Sequence, residues 1–236
     1  MFYVDEVRGG RAWVQGETAE HLRRVLRVER GQQFEISDRE HIYLAAVENL
    51  SKDAVEFVLA EELPPRRLGA QITVLAALVK FDRFEWVIEK CSELGVAELV
   101  PVVAARTDVG LDRAALKRHS RWSRICAESG QQCRRVRPMD IGRCVQFTDA
   151  VGRNSDVRLF LDEAGGKPLL RSVPYRFERV SLLLGPEGGW TDLEREHARS
   201  AGWTSVTLGE SIMRAETAAV AAVSQVQGWW WSNWQE

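Results

Sequence analysis

Long apolar runs are missing from this 236-residue chain. The longest, Ile72 to Val79, falls far short of the ~18 to 20 residues that span a bilayer, so no membrane helix is expected. The N-terminus, Met1-Phe2-Tyr3-Val4-Asp5-Glu6, lacks the basic start and apolar stretch of a secretion signal. A cytoplasmic protein is the expectation. Cysteine and histidine are scarce, with four of each. Cys91, Cys126, Cys133 and Cys144 form no Cys-x-x-Cys pair, and His21, His41, His119 and His197 are scattered. A structural zinc site needs four close ligands, usually in paired spacings. No metal site is expected, and the thiols read as reduced. An excess of charge is also lacking: the net is −2, with 28% charged and 45% hydrophobic residues. That balance excludes a chain disordered by composition. The length suits one large or two modest domains.

What charge there is lies unevenly. Between Arg113 and Arg143 the bases are Arg113, Lys117, Arg118, Arg121, Arg124, Arg134, Arg135, Arg137 and Arg143, against Glu128 and Asp140. Nine bases and two acids give a local charge of +7. A planar guanidinium can donate two parallel hydrogen bonds to phosphate, so the stretch suits nucleic acid. Trp122 within it could stack on a base. A solvated helix face with a buried tryptophan would look the same, and both readings stand.

The pattern changes at Glu61-Glu62-Leu63-Pro64-Pro65-Arg66-Arg67-Leu68-Gly69. Adjacent prolines cannot continue a helix or an inner strand, so this reads as a linker between residues 1–67 and 68–236. Before it, short alternating runs at Arg11 to Gln15, Gln33 to Ser37, Ile42 to Val47 and Ala54 to Leu59 predict a small β-rich domain. One helix is expected from about Thr18, its cap, to Arg27, with Leu22, Val25 and Leu26 as its apolar stripe. After it, apolar strands at Ile72 to Val79, Leu99 to Val103, Val157 to Leu161, Val180 to Leu184 and Ser205 to Leu208 alternate with helices. The helices are expected at Asp82 to Leu94, Asp112 to Ser129, Thr191 to Ala201 and Ala215 to Gln227. Such alternation predicts an α/β domain with a mainly parallel sheet.

Two loops of this second domain could carry chemistry. Strand Val180 to Leu184 runs into Gly185-Pro186-Glu187-Gly188-Gly189-Trp190-Thr191. Ligands of parallel α/β sheets bind at such strand ends. The loop is not Gly-x-Gly-x-x-Gly and carries no Gly-Lys-Ser/Thr, so a dinucleotide or phosphate cradle is poorly supported. The second loop, Leu208-Gly209-Glu210-Ser211-Ile212-Met213-Arg214, leads into the small residues Ala215-Glu216-Thr217-Ala218-Ala219. Charges at Arg214 and Glu216 need partners among apolar neighbours, and a structural ion pair would supply them.

Taken together, Leu183-Leu184-Gly185-Pro186-Glu187-Gly188-Gly189 and Leu208-Gly209-x-x-Ile212-Met213-Arg214-Ala215-Glu216-Thr217-Ala218 resemble the signature loops of the bacterial small-subunit rRNA uracil-N3 methyltransferases, the RsmE family of the SPOUT superfamily. Lys90-Cys91-Ser92-Glu93-Leu94-Gly95-Val96, the Glu128 to Pro138 segment with Gln132 and Arg135, and His21-Leu22-Arg23-Arg24-Val25-Leu26-Arg27 resemble further family stretches in the same order. The resemblance implies a small N-terminal PUA-like β-barrel that binds RNA. It implies a C-terminal SPOUT α/β domain with a trefoil knot. It also implies S-adenosylmethionine as methyl donor, held by Leu184, Gly185, Pro186, Glu187, Gly188, Gly189, Leu208, Gly209, Ile212, Met213 and Arg214. A third donor loop would map near Leu161-Asp162-Glu163. The partners implied are 16S rRNA of the small ribosomal subunit and a second copy of the chain in a homodimer, and the product is N3-methyluridine.

Uracil N3 is protonated at neutral pH, so a base or support for the developing anion is required. Arg214 is the candidate for anion or phosphate, and Glu216 or Glu187 for proton removal or for holding Arg214. RNA contact is expected from Arg23, Arg24, Arg27, Arg121, Gln132, Arg134 and Arg135. The chain departs from the family where Glu210-Ser211 replaces a usual Pro-Arg, which leaves Arg214 as the cation of that loop. A non-catalytic RNA-binding or ribosome-assembly protein of the same fold is the alternative. The tail Gly228-Trp229-Trp230-Trp231-Ser232-Asn233-Trp234 would cover a dimer surface or add stacking.

Overall fold

A computed structural model describes residues 1–66 and 69–233, and its contacts divide the chain into two compact units. The first is Met1–Arg67 with Ala127–Pro138. Its strands are β1 (Phe2–Tyr3), β2 (Glu6–Arg8), β3 (Arg11–Gln15), β4 (Gln33–Ser37), β5 (Ile42–Leu50) and β6 (Ala54–Leu63), with helix α1 (Gly16–Arg24) after β3. They form a six-stranded sheet in the order β1-β4-β5-β6-β3-β2. The β1–β4 pair is parallel and the rest antiparallel. The long β5–β6 pair shifts register between Leu44 and Ala45 and between Val47 and Asn49. Such irregularities bend a strand and increase its twist, so the sheet curls. Every second residue, as in Ala12 and Val14 or Val55 and Phe57, faces a core that Leu22 of α1 completes.

Segment 127–138 is part of this unit, although the linker reading placed it with the second domain. Tyr3 N donates to Gln131 Oε1 at 3.0 Å, and Tyr3 OH to the Arg135 carbonyl at 3.1 Å. Ser37 Oγ donates to the Val136 carbonyl at 2.6 Å. The linker boundary itself, at Arg67 and Leu68, lies outside the described residues.

Helix α1 differs from expectation. It starts at Gly16, two residues before Thr18, with Gln15 as an N-cap that makes no side-chain bond. It ends at Arg24 because the chain turns left-handed at Arg27, φ 51°. Val25 and Leu26 therefore leave the apolar stripe and stand 64% and 48% exposed.

The second unit is Leu68–Cys126 with Met139–Glu236. Its elements in order are β7 (Gln71–Ala77), α2 (Phe81–Glu93), β8 (Glu98–Val103), α3 (Leu111–Gln132), β9 (Asp140–Ile141), β10 (Val145–Gln146) and α4 (Phe147–Val151). There follow β11 (Val157–Leu161), β12 (Lys167–Pro168), α5 (Leu169–Ser172), β13 (Arg179–Leu184), α6 (Asp192–Ser200), β14 (Thr204–Thr207) and α7 (Ala215–Asn233). The last residues of α3 belong to the first unit. The sheet order is β10-β8-β7-β13-β11-β14-β12, with β9 beside β8, and every described pairing is parallel.

The continuous apolar runs have a simple cause. Ile72, Val74, Leu182 and Leu159 face one core, while Leu75, Leu183 and Phe160 face another on the opposite side of the sheet. A strand covered on both faces needs apolar residues at every position. On the first face lies Trp122 of α3, 1% exposed, with ring centroids 5.9 Å from Phe81 and 5.0 Å from Phe84. It is a core residue, which removes it from any stacking role. Cys91 and Cys126 are buried in the same core, and burial pushes the Cys91 thiol up to about 12. Helix α7 runs beyond the expected Gln227 to Asn233. Trp230 is buried, Trp229 Nε1 donates to the Pro174 carbonyl at 3.1 Å, and Trp231 is 49% exposed. Trp234 lies outside the described residues.

Candidate active site

Strands β11, β13 and β14 are neighbours in one parallel sheet, so their carboxyl ends deliver three loops to one place. A cavity of about 520 Å³ opens there, within the range typical of small-ligand sites. Leu161 ends β11 and is followed by Asp162 and Glu163, Leu184 ends β13 and is followed by Gly185 to Glu187 and Gly189, and Val206 and Thr207 end β14 and are followed by Leu208 to Arg214 and by Ala215 at the start of α7. All of these line the cavity. So do Ala218 of α7 and Arg83 of α2.

The loop after β13 depends on glycine at two points. Gly189 has φ 70°, and a Cβ there would lie 2.1 Å from Glu163 Oε1. A Cβ on Gly185 would lie 2.9 Å from the Trp190 ring. Trp190 is fully buried, and its ring stacks on Phe160 with centroids 4.8 Å apart. Next in sequence, Thr191 caps α6 in a capping box with Glu194, whose other oxygen accepts from Ala105 N at 2.8 Å. This fixes the departure of the chain from the loop.

Behind the loops stands Arg195. It donates to Asp162 at 3.0 Å, to Glu163 at 2.6 Å and to Asp192 at 3.1 Å. Ser205 Oγ donates to the other Asp162 oxygen at 3.3 Å. The guanidinium thus satisfies the 7% exposed Asp162 side chain and joins the β11 loop to α6.

The expected donor-loop residues Leu184, Gly185, Pro186, Glu187, Gly189, Leu208, Gly209, Ile212, Met213 and Arg214 come together around the cavity. Gly188 is not in its lining, and its carbonyl accepts from Arg106 at 2.7 Å. Of the three candidate catalytic residues, Glu187 and Arg214 line the cavity and Glu216 sits in the first turn of α7 outside the lining. The suggested Arg214–Glu216 ion pair is absent among the described residues. Arg83 takes that place: it donates to Glu187 and lies 4.0 Å from Glu216, whose side chain is 15% exposed. Arg214 is exposed, with no side-chain partner among the described residues. Sequence reasoning missed Arg83 and Arg195. Apart from Asp192, three residues before Arg195, their partners lie far along the chain, and the local cue at Arg83 is a cation in the first turn of α2, where the helix dipole disfavours it.

The expected RNA-binding residues divide between the units. Arg121 belongs to the second and makes a two-pronged pair with Glu85, both bonds 2.8 Å. The guanidinium of Arg121 in this pair, joined by that of Arg118, holds the Glu85 carboxyl below its usual range against the opposing effect of burial. In the first unit, Arg23 donates to the Lys52 carbonyl, and Arg24 pairs with Glu20 at 2.6 Å. Arg27, Gln132 and Arg134 are exposed there, Arg134 lying 3.9 Å from Glu35. Arg135 is half-buried, its carbonyl held by Tyr3. The basic run is therefore shared between the two units. Among the described residues, no group of three or more His, Cys, Asp or Glu is placed to hold a metal ion, and no helix is long and apolar enough to cross a membrane.

The model of a family described as an RNA methyltransferase domain matches residues 66–227, and that of an RNA methyltransferase PUA domain matches residues 14–60. The ribosomal RNA small subunit methyltransferase E of Aquifex aeolicus (strain VF5) is 30% identical over 95% of this chain and 97% of its own length. The chain belongs to the ribosomal RNA small subunit methyltransferase E family. The methyltransferase E of Bacillus subtilis (strain 168) is 27% identical over 90% of this chain and 88% of its own. Among solved structures, the Neisseria gonorrhoeae methyltransferase E bound to S-adenosylmethionine superposes with a TM-score of 0.89 at 27% identity, covering 97% of each chain. A Legionella pneumophila methyltransferase in complex with the same cofactor gives 0.88 at 29% identity, covering 96% of each.

Proposed function

We propose that this protein methylates N3 of a uridine in 16S rRNA of the small ribosomal subunit, with S-adenosylmethionine as donor. The observation that carries the reading is the cavity at the ends of β11, β13 and β14, walled by both glycine-bearing loops. Its volume suits a nucleoside-sized ligand. Its charged lining is Asp162, Glu163, Glu187 and Glu210 against Arg83 and Arg214, an acidic balance that suits a sulfonium cation. The residues present therefore fit the donor. Backbone and side chains of Leu184–Glu187, Gly189, Leu208, Gly209 and Ile212–Arg214 would hold it. When bound, it supplies an electrophilic methyl group.

The protein's own task is to orient uracil and to move the proton from N3. Glu187, on the cavity wall, is the candidate for accepting that proton, with Glu216 as the second carboxylate near it. Arg214 is the cation without a carboxylate partner, so it suits the developing uracil anion or an RNA phosphate. Residues 1–67 read as a PUA-like RNA-binding domain, completed by residues 127–138, and 68–236 as a SPOUT methyltransferase domain whose chain is knotted. The exposed Arg27 and Arg134 of the first of these domains would meet the RNA backbone. A cytoplasmic homodimer completes the reading.

The deciding experiment incubates the protein with labelled S-adenosylmethionine and small ribosomal subunits from cells lacking this activity. Labelled N3-methyluridine in the digested RNA is the expected result. A different labelled nucleoside would overturn the base assignment. Donor binding with no transfer to any nucleoside would favour a non-catalytic RNA-binding protein.

A further inference from the structure

Arg83 is placed against local preference. It is the third residue of α2, where a cation opposes the partial positive charge of the helix start. No feature of the helix itself accounts for it. Its contacts do: the guanidinium donates to Glu187 in the loop after β13 and lies 4.0 Å from Glu216 on α7. One side chain thus spans three segments that are distant in sequence. Glu216 is only partly compensated by it, since its second oxygen is buried without a hydrogen-bond partner among the described residues.

The rest of the cavity's charge explains what this arrangement achieves. Arg195 holds Asp162 and Glu163, and Arg83 holds Glu187. Glu210 is exposed and solvated. Arg214 lines the same cavity and has no partner among the described residues. Deprived of Arg83, Glu187 on the cavity wall and Glu216, whose side chain is 15% exposed, would draw the free Arg214 guanidinium, most strongly at Glu216, because an unpaired charge away from water is costly.

We infer that Arg83 is a positioning residue: by engaging Glu187 and Glu216 it keeps both carboxylates off Arg214 and leaves that guanidinium free for RNA. The inference rests on the proposed function for the identity of what Arg214 meets. It differs from a purely structural role in a way that can be read from RNA binding alone, without turnover.

The test measures the affinity of the donor-free protein for an unmodified 16S rRNA transcript over a range of salt. Arg83→Ala is expected to weaken binding about fivefold and to lower the salt slope by about one phosphate contact. Arg83→Lys, which keeps a cation for Glu187, is expected to bind as the wild type does. The triple variant Arg83→Ala with Glu187→Gln and Glu216→Gln is expected to recover most of the lost affinity, since both competing carboxylates are gone. A triple variant as weak as Arg83→Ala would overturn the inference, because Arg83 would then touch RNA itself or merely support the fold. Wild-type affinity in Arg83→Ala would overturn it as well. If Arg83→Ala melts early, Arg83→Gln keeps much of the bulk without the charge and carries the same comparison. Wild-type protein that transfers no methyl group and shows no salt-dependent RNA binding would overturn the proposed function and this inference together. Transfer by the wild type with unaltered variants would overturn the inference alone.

Discussion

The indole nitrogen of Trp190 donates to the carbonyl of Leu161 at 2.8 Å, fastening the loop after β13 to the loop after β11 inside the protein. Trp190→Phe keeps most of the packing on Phe160 but orphans that buried carbonyl. The expected cost is about 1–3 kcal/mol in urea denaturation. Calorimetry with S-adenosylmethionine should also show weaker binding, because Leu161 belongs to the cavity wall.

Gly189→Ala should separate site geometry from stability. The left-handed backbone costs an alanine roughly 1–2 kcal/mol. Its methyl would also displace Glu163, which Arg195 holds at 2.6 Å. Donor affinity is expected to fall by more than the stability change accounts for. Equal losses in calorimetry and denaturation would contradict this.

Arg195→Met leaves the nearly buried Asp162 without its cation, at an expected cost of about 3 kcal/mol. Adding Asp162→Asn should return part of that loss. Strict additivity of the two changes in a double-mutant cycle would show that the pair is not coupled.

Glu85 sets an acid-range dependence. The Arg121 and Arg118 guanidiniums hold its folded carboxyl below the ordinary 4.5. A depressed folded pKa stabilises the protein above the unfolded value, and that stability is lost as pH falls through the folded value. The melting temperature of the wild type should therefore exceed that of Glu85→Gln at pH 6. The gap should close as the pH drops below about 4.5. A gap that stays constant to pH 3 would refute the assignment.

Arg214→Ala should leave melting unchanged within about 0.5 kcal/mol, the usual range for an exposed side chain without partners. Methyl transfer to the small subunit should nevertheless be lost. Near-normal turnover would remove Arg214 from the chemistry.

Much of this was legible in the sequence where the signal is local. Apolar runs located β7, β11 and β13, and the glycines located the loop after β13, because each reports a condition met within a few residues. The misses share another physics. For Trp122 the sequence leaves stacking and burial both open, and only the packing of Phe81 and Phe84 against it decides for the core. The basic run is continuous in sequence, yet its residues are shared between the two compact units. Arg83 and Arg195 find partners 104 and 33 residues away, a distance that no periodicity encodes. Helix α1 ended early through a left-handed Arg27, a residue type that carries no warning of such a turn.

The strand order also constrains how the chain can be made. β7 pairs with β13 from Gln71, opposite Arg179, to Ala76, opposite Leu184. While a ribosome is still reading the intervening codons, one edge of β7 stays bare. That edge, Ile72-Thr73-Val74-Leu75-Ala76-Ala77, is apolar and extended, the kind of segment that pairs with other nascent chains. Chaperone demand during synthesis should therefore concentrate on β7 and end when β13 emerges.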